Sequence, residues 1–341
     1  MSAVASGYSV RVEARLLRFV APRRVEIHRV EVRPAAAGEV LVRTRWSGIS
    51  GGTELLAYRG ELDETLELDE TLSSLHGTFR YPFAYGYSCV GEIERSAPGG
   101  PAEGTTVFAF HPHQDLFTVR AADVVPVETV DGRIVTLFPL VETALQVSLD
   151  AGPRAGEPVL VLGLGPVGLL TAALLQRWGA DVLGADPRAD RRETAALFGI
   201  PVVATSEIRD AVEDSTSGTG VPLVVDATGS PGALPLALEV LAHEGEALVC
   251  SWYGSKDVRV PLGGAFHRRR LAIRSTQVST IPSRLSGRWD VARRRRVAMR
   301  LVAELPVKLL ATHEVPFDRA AAAYASLDRG EEGVMHVALR Y

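Results

Sequence analysis

Two rhythms of apolar and polar residues divide the chain near residue 150. Before it, short runs that alternate or stay apolar are set apart by glycine and proline: VEIHRVEV (25–32), EVLVRTRWSGI (39–49), GYSCVGEIERS (86–96) and TTVFAF (105–110). That pattern predicts a β-rich unit. From residue 158 to about 280, strand-like runs take turns with helical ones. The strands are PVLVLG, DVLGAD, PVVAT (201–205), PLVVDATG (222–229), EALVCSWYG (246–254) and LAIRSTQV (271–278). ALPLALEVLAHEG (233–245) is one of the helices between them, with Gly245 expected as its C-cap. Six strands joined by crossover helices predict a doubly wound parallel sheet, an α/β fold.

Downstream, WDVARRRRVAMRLVAEL (289–305) predicts an amphipathic helix with Val291, Val297, Leu301 and Val302 on its apolar side. The arginines at 293–296 are expected on a solvated face. The tail from 309 to 341 reads strand, helix, strand, and is expected to pack back on the β-rich unit. Residues 60–80 are polar and repeat LDETL. Two copies are too few for a repeat architecture, so a flexible surface loop or lid is expected.

The run VLVLGLGPVGLLTAALLQRWGADVLGAD (159–186) carries the clearest chemistry. A strand enters Gly163-x-Gly165-x-x-Gly168, with Pro166 and Val167 inside the turn, and a helix follows. Gly163 permits a tight turn, Gly165 lets backbone approach a pyrophosphate, and Gly168 permits close helix–strand packing. The helix N-terminus offers free N–H groups to phosphate. Asp186 ends the second strand roughly 20 residues on, placed for the adenosine ribose hydroxyls. The pattern points to a dinucleotide, and Asp186 favours NAD(H) over NADP(H), because a carboxylate repels a 2′-phosphate. Arg188, Arg191 and Arg192 follow closely and could offset that repulsion, Arg188 being a candidate cofactor contact. Thr228 and Gly229, with Ser251, Trp252 and Tyr253, end strands at the sheet's carboxyl edge and are candidates for the nicotinamide side.

GEVLVRTRWSGISGGTE (38–54), YPFAYGYSCVGEIE (81–94), GLGPVG with its acid, VVDATGSPGAL (224–234) and the closing THEVPFDRAAAAYASLDRGEEGVMHVAL together resemble the medium-chain dehydrogenase/reductase superfamily. The resemblance implies a GroES-like catalytic domain made of residues 1–148 and 307–341. It implies a Rossmann cofactor domain at 149–306, hydride transfer in the cleft between them, and a homodimer or homotetramer. A narrower similarity to bacteriochlorophyllide dehydrogenases, around GTELLAYRG and YGYSCVGEIE, hints at oxidation of a hydroxyethyl-type group.

Where zinc-using members keep ligands, this chain has Ser50, then Tyr87 and Ser88, then Phe138. Catalytic zinc takes three protein ligands from Cys, His or carboxylate, so no zinc is expected. A substitute set of His111, His113, Glu54 and Glu142 stays open. Without a metal, aimed donors must stabilise charge on a reacting oxygen. The resemblance puts Ser50, Thr53 and Tyr87 near the nicotinamide end, Thr53 where relatives relay a proton. Tyr87 reads either as a donor or as a packed aromatic. His113, in FHPHQD, is the preferred acid/base. Glu142 sits in an apolar run, where it must be paired or protonated; it could orient His113, bind arginines or bond backbone.

The formal net charge of −4 over 341 residues argues against nucleic acid as a partner. Two cysteines, Cys89 and Cys250, build no disulfide framework, and the N-terminus lacks a signal-peptide core. A cytoplasmic enzyme with a small-molecule substrate and no membrane partner is expected. The leading reading is interconversion of a secondary alcohol and a ketone of a small or sugar-like metabolite. Reduction of an activated C=C bond and a non-catalytic NAD-binding sensor are the alternatives.

Overall fold

The computed structural model describes residues 12–128 and 131–341. Its strands are β1 (Val12–Ala21), β2 (Arg24–Val32), β3 (Glu39–Ile49), β4 (Cys89–Ser96), β5 (Thr106–Ala109), β6 (Leu116–Arg120), β7 (Val124–Pro126), β8 (Pro158–Leu162), β9 (Asp181–Ala185), β10 (Val202–Val203), β11 (Val221–Asp226), β12 (Leu241–Val249), β13 (Ala272–Ser275), β14 (His313–Pro316) and β15 (Val337–Arg340). The helices are α1 (Thr53–Arg59), α2 (Gly132–Val135), α3 (Phe138–Ala151), α4 (Pro166–Arg177), α5 (Ala189–Leu197), α6 (Ile208–Thr216), α7 (Ala233–Val240), α8 (Val291–Glu304) and α9 (Ala320–Arg329).

β8 to β13 form one parallel sheet in the order β10-β9-β8-β11-β12-β13. The order in which strands are added along the sheet reverses between β8 and β11, which run parallel, and a crevice at their carboxyl ends is where such sheets hold ligands. β1 and β2 pair as an antiparallel ribbon. The remaining strands form a second sheet in the order β14-β15-β3-β4-β5-β7, with β6 also on β3. The tail therefore returns to the N-terminal part: β15 runs antiparallel to β3, Ile49 opposite Val337. Among the described residues no helix is long and apolar enough to cross a membrane.

Three expectations change. α7 stops at Val240, because Val240 and Leu241 are buried and the chain turns extended at once into β12. Gly245 lies inside that strand rather than capping the helix, and Glu244 takes the left-handed φ of 58°. The segment at 60–80 is anchored, not loose. Leu68, Leu75 and Phe79 are buried, and each LDETL copy folds the same local turn. Asp63 accepts from the N–H and hydroxyl of Thr65, Asp69 from those of Thr71.

The third change concerns the arginine run. α8 turns Arg294, Ala298, Leu301 and Val302 inward, while Val291 and Val297 lie half-buried at the margin. Arg294 donates to Glu142 Oε1 (3.0 Å) and to Gln146 Oε1 (2.6 Å), both on α3. Burial pushes the Glu142 carboxyl up, while Arg294 and Arg295 pull it back. Glu142 thus clamps α3 to α8 and is not joined to His113, so an orienting role there is withdrawn. Removing one partner of a buried pair leaves an uncompensated charge. Arg294→Met is expected to lower unfolding free energy by about 3–5 kcal/mol in urea titration. The double variant Glu142→Leu/Arg294→Met should recover most of that loss; equal loss in both would refute the clamp.

Candidate functional site

The glycine turn between β8 and α4 has three different constraints. Gly163 holds φ at 87°, and a Cβ there would lie 2.8 Å from the Ala227 carbonyl oxygen. A Cβ on Gly168 would lie 1.9 Å from the Gly163 carbonyl oxygen, so strand and helix could not approach. Gly165, by contrast, faces space: only Arg191 Nη1, at 3.8 Å, comes within contact. Pro166 opens α4, where a missing N–H costs nothing, and Val167 follows. An open backbone at a helix N-terminus fits a phosphate.

Asp186 lies beside this turn. Its carboxylate accepts the N–H of Leu164 (2.8 Å) and of Arg188 (2.9 Å), which fixes its orientation at the end of β9. The three arginines behind it are engaged elsewhere. Arg188 pairs with Asp190 and donates to the carbonyls of Gly330 (2.9 Å) and Glu331 (3.1 Å). Arg191 reaches the Val334 carbonyl (3.0 Å), and Arg192 the Asp186 and Pro187 carbonyls. Arg188 is therefore a tie between the parallel-sheet lobe and the tail, not a group left open to a cofactor.

Across the crevice, Asp226 at the end of β11 is fully buried and organises the turn after it. It accepts the N–H and hydroxyl of Thr228 (2.9 and 2.7 Å) and the phenol of Tyr253. Gly229 donates to Ser251 Oγ (2.8 Å). Burial and then the Asp226 bond hold the Tyr253 phenol far above its ordinary pKa. Trp252 is partly exposed and meets Phe79 edge to face at 5.9 Å, bridging to the other lobe. Nothing in the sequence singled out Asp226, although its place at a strand end before ATG was visible.

The other lobe brings Ser50, Thr53, Tyr87 and His113 into one neighbourhood. Its centre is Glu54, in the first turn of α1 and with no solvent exposure. Glu54 Oε1 accepts the Ser50 N–H at 2.8 Å. Its Oε2 accepts from His113 Nε2 at 3.0 Å and from the Tyr324 phenol on α9. A carboxylate only accepts, so Nε2 carries a hydrogen. His113 Nδ1 meets Ser47 Oγ at 2.7 Å, and Ser47 meets the Tyr341 hydroxyl at 2.9 Å. With no exposure and both nitrogens engaged, His113 cannot reach a substrate, so it orients groups rather than exchanging protons in the cleft. Gly86 makes this possible. Its φ is 102°, and a Cβ there would sit 2.5 Å from the His113 ring.

Tyr87 is half-buried, and its phenol lies near enough to the side chains of Ser50 and Thr53 for both to lower its pKa. Burial, then the Glu54 charge, push it up to about 12, against the pull of those two hydroxyls. It is a protonated donor at neutral pH. Glu54 entered the sequence reading only as a possible metal ligand, and Ser47, Tyr324 and Tyr341 not at all. An acid amid TELLAY was a usable signal for Glu54; Tyr324 lies too far along the chain for any spacing rule.

The donors present do not fit zinc. Among the described residues no three of His, Cys, Asp or Glu converge. Glu54 and His113 are spent on each other, Phe138 packs on Phe108 at 4.7 Å, and burial pushes the Cys89 thiol up to about 12. A backbone prediction follows from the His113 contact. Gly86→Ala is expected to cost about 1–3 kcal/mol more than Gly77→Ala in thermal or urea melts. Both residues have positive φ, but nothing lies within 4 Å of a Cβ at Gly77.

Comparison with known proteins agrees with this architecture. A family model described as zinc-binding dehydrogenase matches residues 166–293. 2-Desacetyl-2-hydroxyethyl bacteriochlorophyllide A dehydrogenase of Cereibacter sphaeroides is 26% identical over 330 residues, covering 89% of this chain and 91% of that protein. L-Galactonate-5-dehydrogenase of Escherichia coli is 28% identical over 223 residues, 62% of each chain. A structure of a short chain alcohol dehydrogenase from Escherichia coli CFT073, complexed with NADH, superposes with a TM-score of 0.77 at 19% identity, covering 96% of this chain and 99% of that one. Two lobes, a glycine turn shaped for a pyrophosphate and these relatives place the chain in the medium-chain dehydrogenase/reductase superfamily of oxidoreductases.

Proposed function

We propose that this oxidoreductase interconverts a secondary alcohol and a ketone with NAD(H) in preference to NADP(H), and without zinc. The observation that carries the reading is the Tyr87 phenol, kept protonated by burial and the Glu54 charge beside the Ser50 and Thr53 side chains. A bound nicotinamide would supply or accept the hydride. As negative charge gathers on a substrate oxygen, Tyr87 donates to it, and the Ser50 and Thr53 hydroxyls stabilise the phenol oxygen. Thr53, only half-buried, would return a proton from solvent to the phenol after reduction, and carry one outward in the oxidation direction. Glu54 holds Ser50 by its backbone, and its charge keeps Tyr87 from ionising. The names of two relatives, a hydroxyethyl bacteriochlorophyllide and L-galactonate dehydrogenase, support an alcohol as the group oxidised.

The cofactor preference rests on Asp186. Its carboxylate suits a free 2′-hydroxyl, and Arg188, Arg191 and Arg192 are held by Asp190 and backbone carbonyls. In assays following NADH absorbance, kcat/KM for NADH should exceed that for NADPH; the reverse order would sink the Asp186 argument. Tyr87→Phe should lower kcat by about 10²–10³, the effect of losing one aimed donor, with the fold intact. Near-normal turnover would remove Tyr87 from the chemistry, and product analysis separates C=O from C=C reduction. Because the phenol titrates only at about 12, the rate of reduction should show no tyrosine ionisation below about pH 11. A limb near the ordinary tyrosine value of about 10 would contradict its burial beside Glu54.

A further inference from the structure

A cleft of about 430 Å³ opens on the β-rich lobe, walled by β1, by the loop at 74–80 and by residues 82–84 and 111–114. Its lining includes Arg18, His76, Arg80, His111 and Gln114, and no Asp or Glu. That is unusual in a chain of net charge −4. Ser50, Thr53, Tyr87 and the cofactor turn are not part of it.

Arg18 is the informative residue. Its Nε is buried and has no hydrogen-bond partner among the described residues. Glu26, opposite it in the β1–β2 register, pairs instead with Arg24 and lies 3.4 Å from His28. Its neighbour Arg15 shows the contrast, pairing with both Asp115 and Asp318. A guanidinium is always charged and presents a planar fork that matches carboxylate or phosphate. Arg80 adds a second one, paired with Glu64 at the surface (3.1 Å).

The same walls offer acceptors. His111 Nδ1 lies 3.0 Å from the Pro112 carbonyl, and a carbonyl only accepts, so the hydrogen is on Nδ1. Burial pulls its pKa down to about 4, which leaves a neutral ring with Nε2 as an acceptor. Gln114 donates its amide N–H to the Leu116 carbonyl (2.6 Å) and keeps its amide oxygen. Two guanidinium forks beside two acceptors call for a molecule with an anion at one end and hydroxyl donors along its body. The geometry points to a second binding site, for a polyhydroxylated carboxylate or phosphate, held by Arg18 and Arg80. The cleft and the buried Glu54–His113 pair share a wall, since Leu17 donates to the His113 carbonyl at 2.9 Å.

The test is calorimetric titration of the NADH-loaded protein with D-gluconate, with D-glucose 6-phosphate and with neutral sorbitol. At least one anion should bind saturably, which of the two telling carboxylate from phosphate, and sorbitol should not. Arg18→Gln should weaken that binding about ten-fold or more, the scale of a lost charge-assisted hydrogen bond, and Tyr87→Phe should leave it unchanged. The proposal fails if neither anion saturates, if sorbitol binds as well, or if Arg18→Gln has no effect. It also fails if Tyr87→Phe abolishes binding, because the anion then sits in the hydride cleft. Should Arg18→Gln not fold, Arg80→Gln, at an exposed position, is read by the same criteria. None of these readings depends on turnover, so they stand apart from the proposed reaction.

Discussion

A single buried carboxylate organises the β-rich lobe. Glu54 has no exposure to water, and burying such a charge is tolerable only with its acceptor sites filled. The three donors that fill them come from distant parts of the chain: the backbone before α1, the imidazole after β5, and the phenol on α9. Each is thereby fixed relative to the others. His113 can reach Glu54 only because Gly86 has no side chain, and Tyr87, the next residue, is set beside Ser50 and Thr53 by the same arrangement. Tyr85 meets Tyr87 edge to face at 6.0 Å, so the phenol is also positioned from behind. The site is thus a matter of packing around one charge, more than of any single reactive group.

The two lobes are held by different means on different sides. A continuous apolar core runs from Val90 and Phe108 of the antiparallel sheet through α3 to the parallel sheet. On the far side the ties are polar, from Arg188, Asp190 and Arg191 to the stretch at 330–335. A third contact joins the loop after β12 to the segment after α1, where Ser255 donates to the Glu61 carbonyl (2.9 Å). α9 serves both the Glu54 cluster and the polar tie, carrying Tyr324 on one of its turns and the Arg188 carbonyl partner at its C-cap, Gly330.

The parallel sheet, the glycine turn and the returning tail were legible because each is written in local periodicity or in residues a few positions apart. Where partners are distant, the sequence misled. Arg294 read as one of four solvated arginines, since a buried guanidinium looks polar in any pattern and its partner Glu142 lies on another helix. His113 read as a free acid/base because nothing nearby revealed Glu54. The end of α7 was misplaced because Gly245 suggested a cap, whereas burial of Leu241 pulled the chain into a strand sooner. Asp226 escaped notice for the opposite reason: it sits in an apolar run that accounted for itself as a strand.

The tie made by Arg188 bears on how readily this enzyme could be re-engineered. The Arg188 guanidinium, two residues beyond Asp186, already ties one lobe to the other, so drafting it to greet an extra phosphate would unfasten the tail. Coenzyme choice and the alignment of the halves are therefore not separate dials. A designer would have to import a fresh cation from outside the latch, leaving the existing one in place.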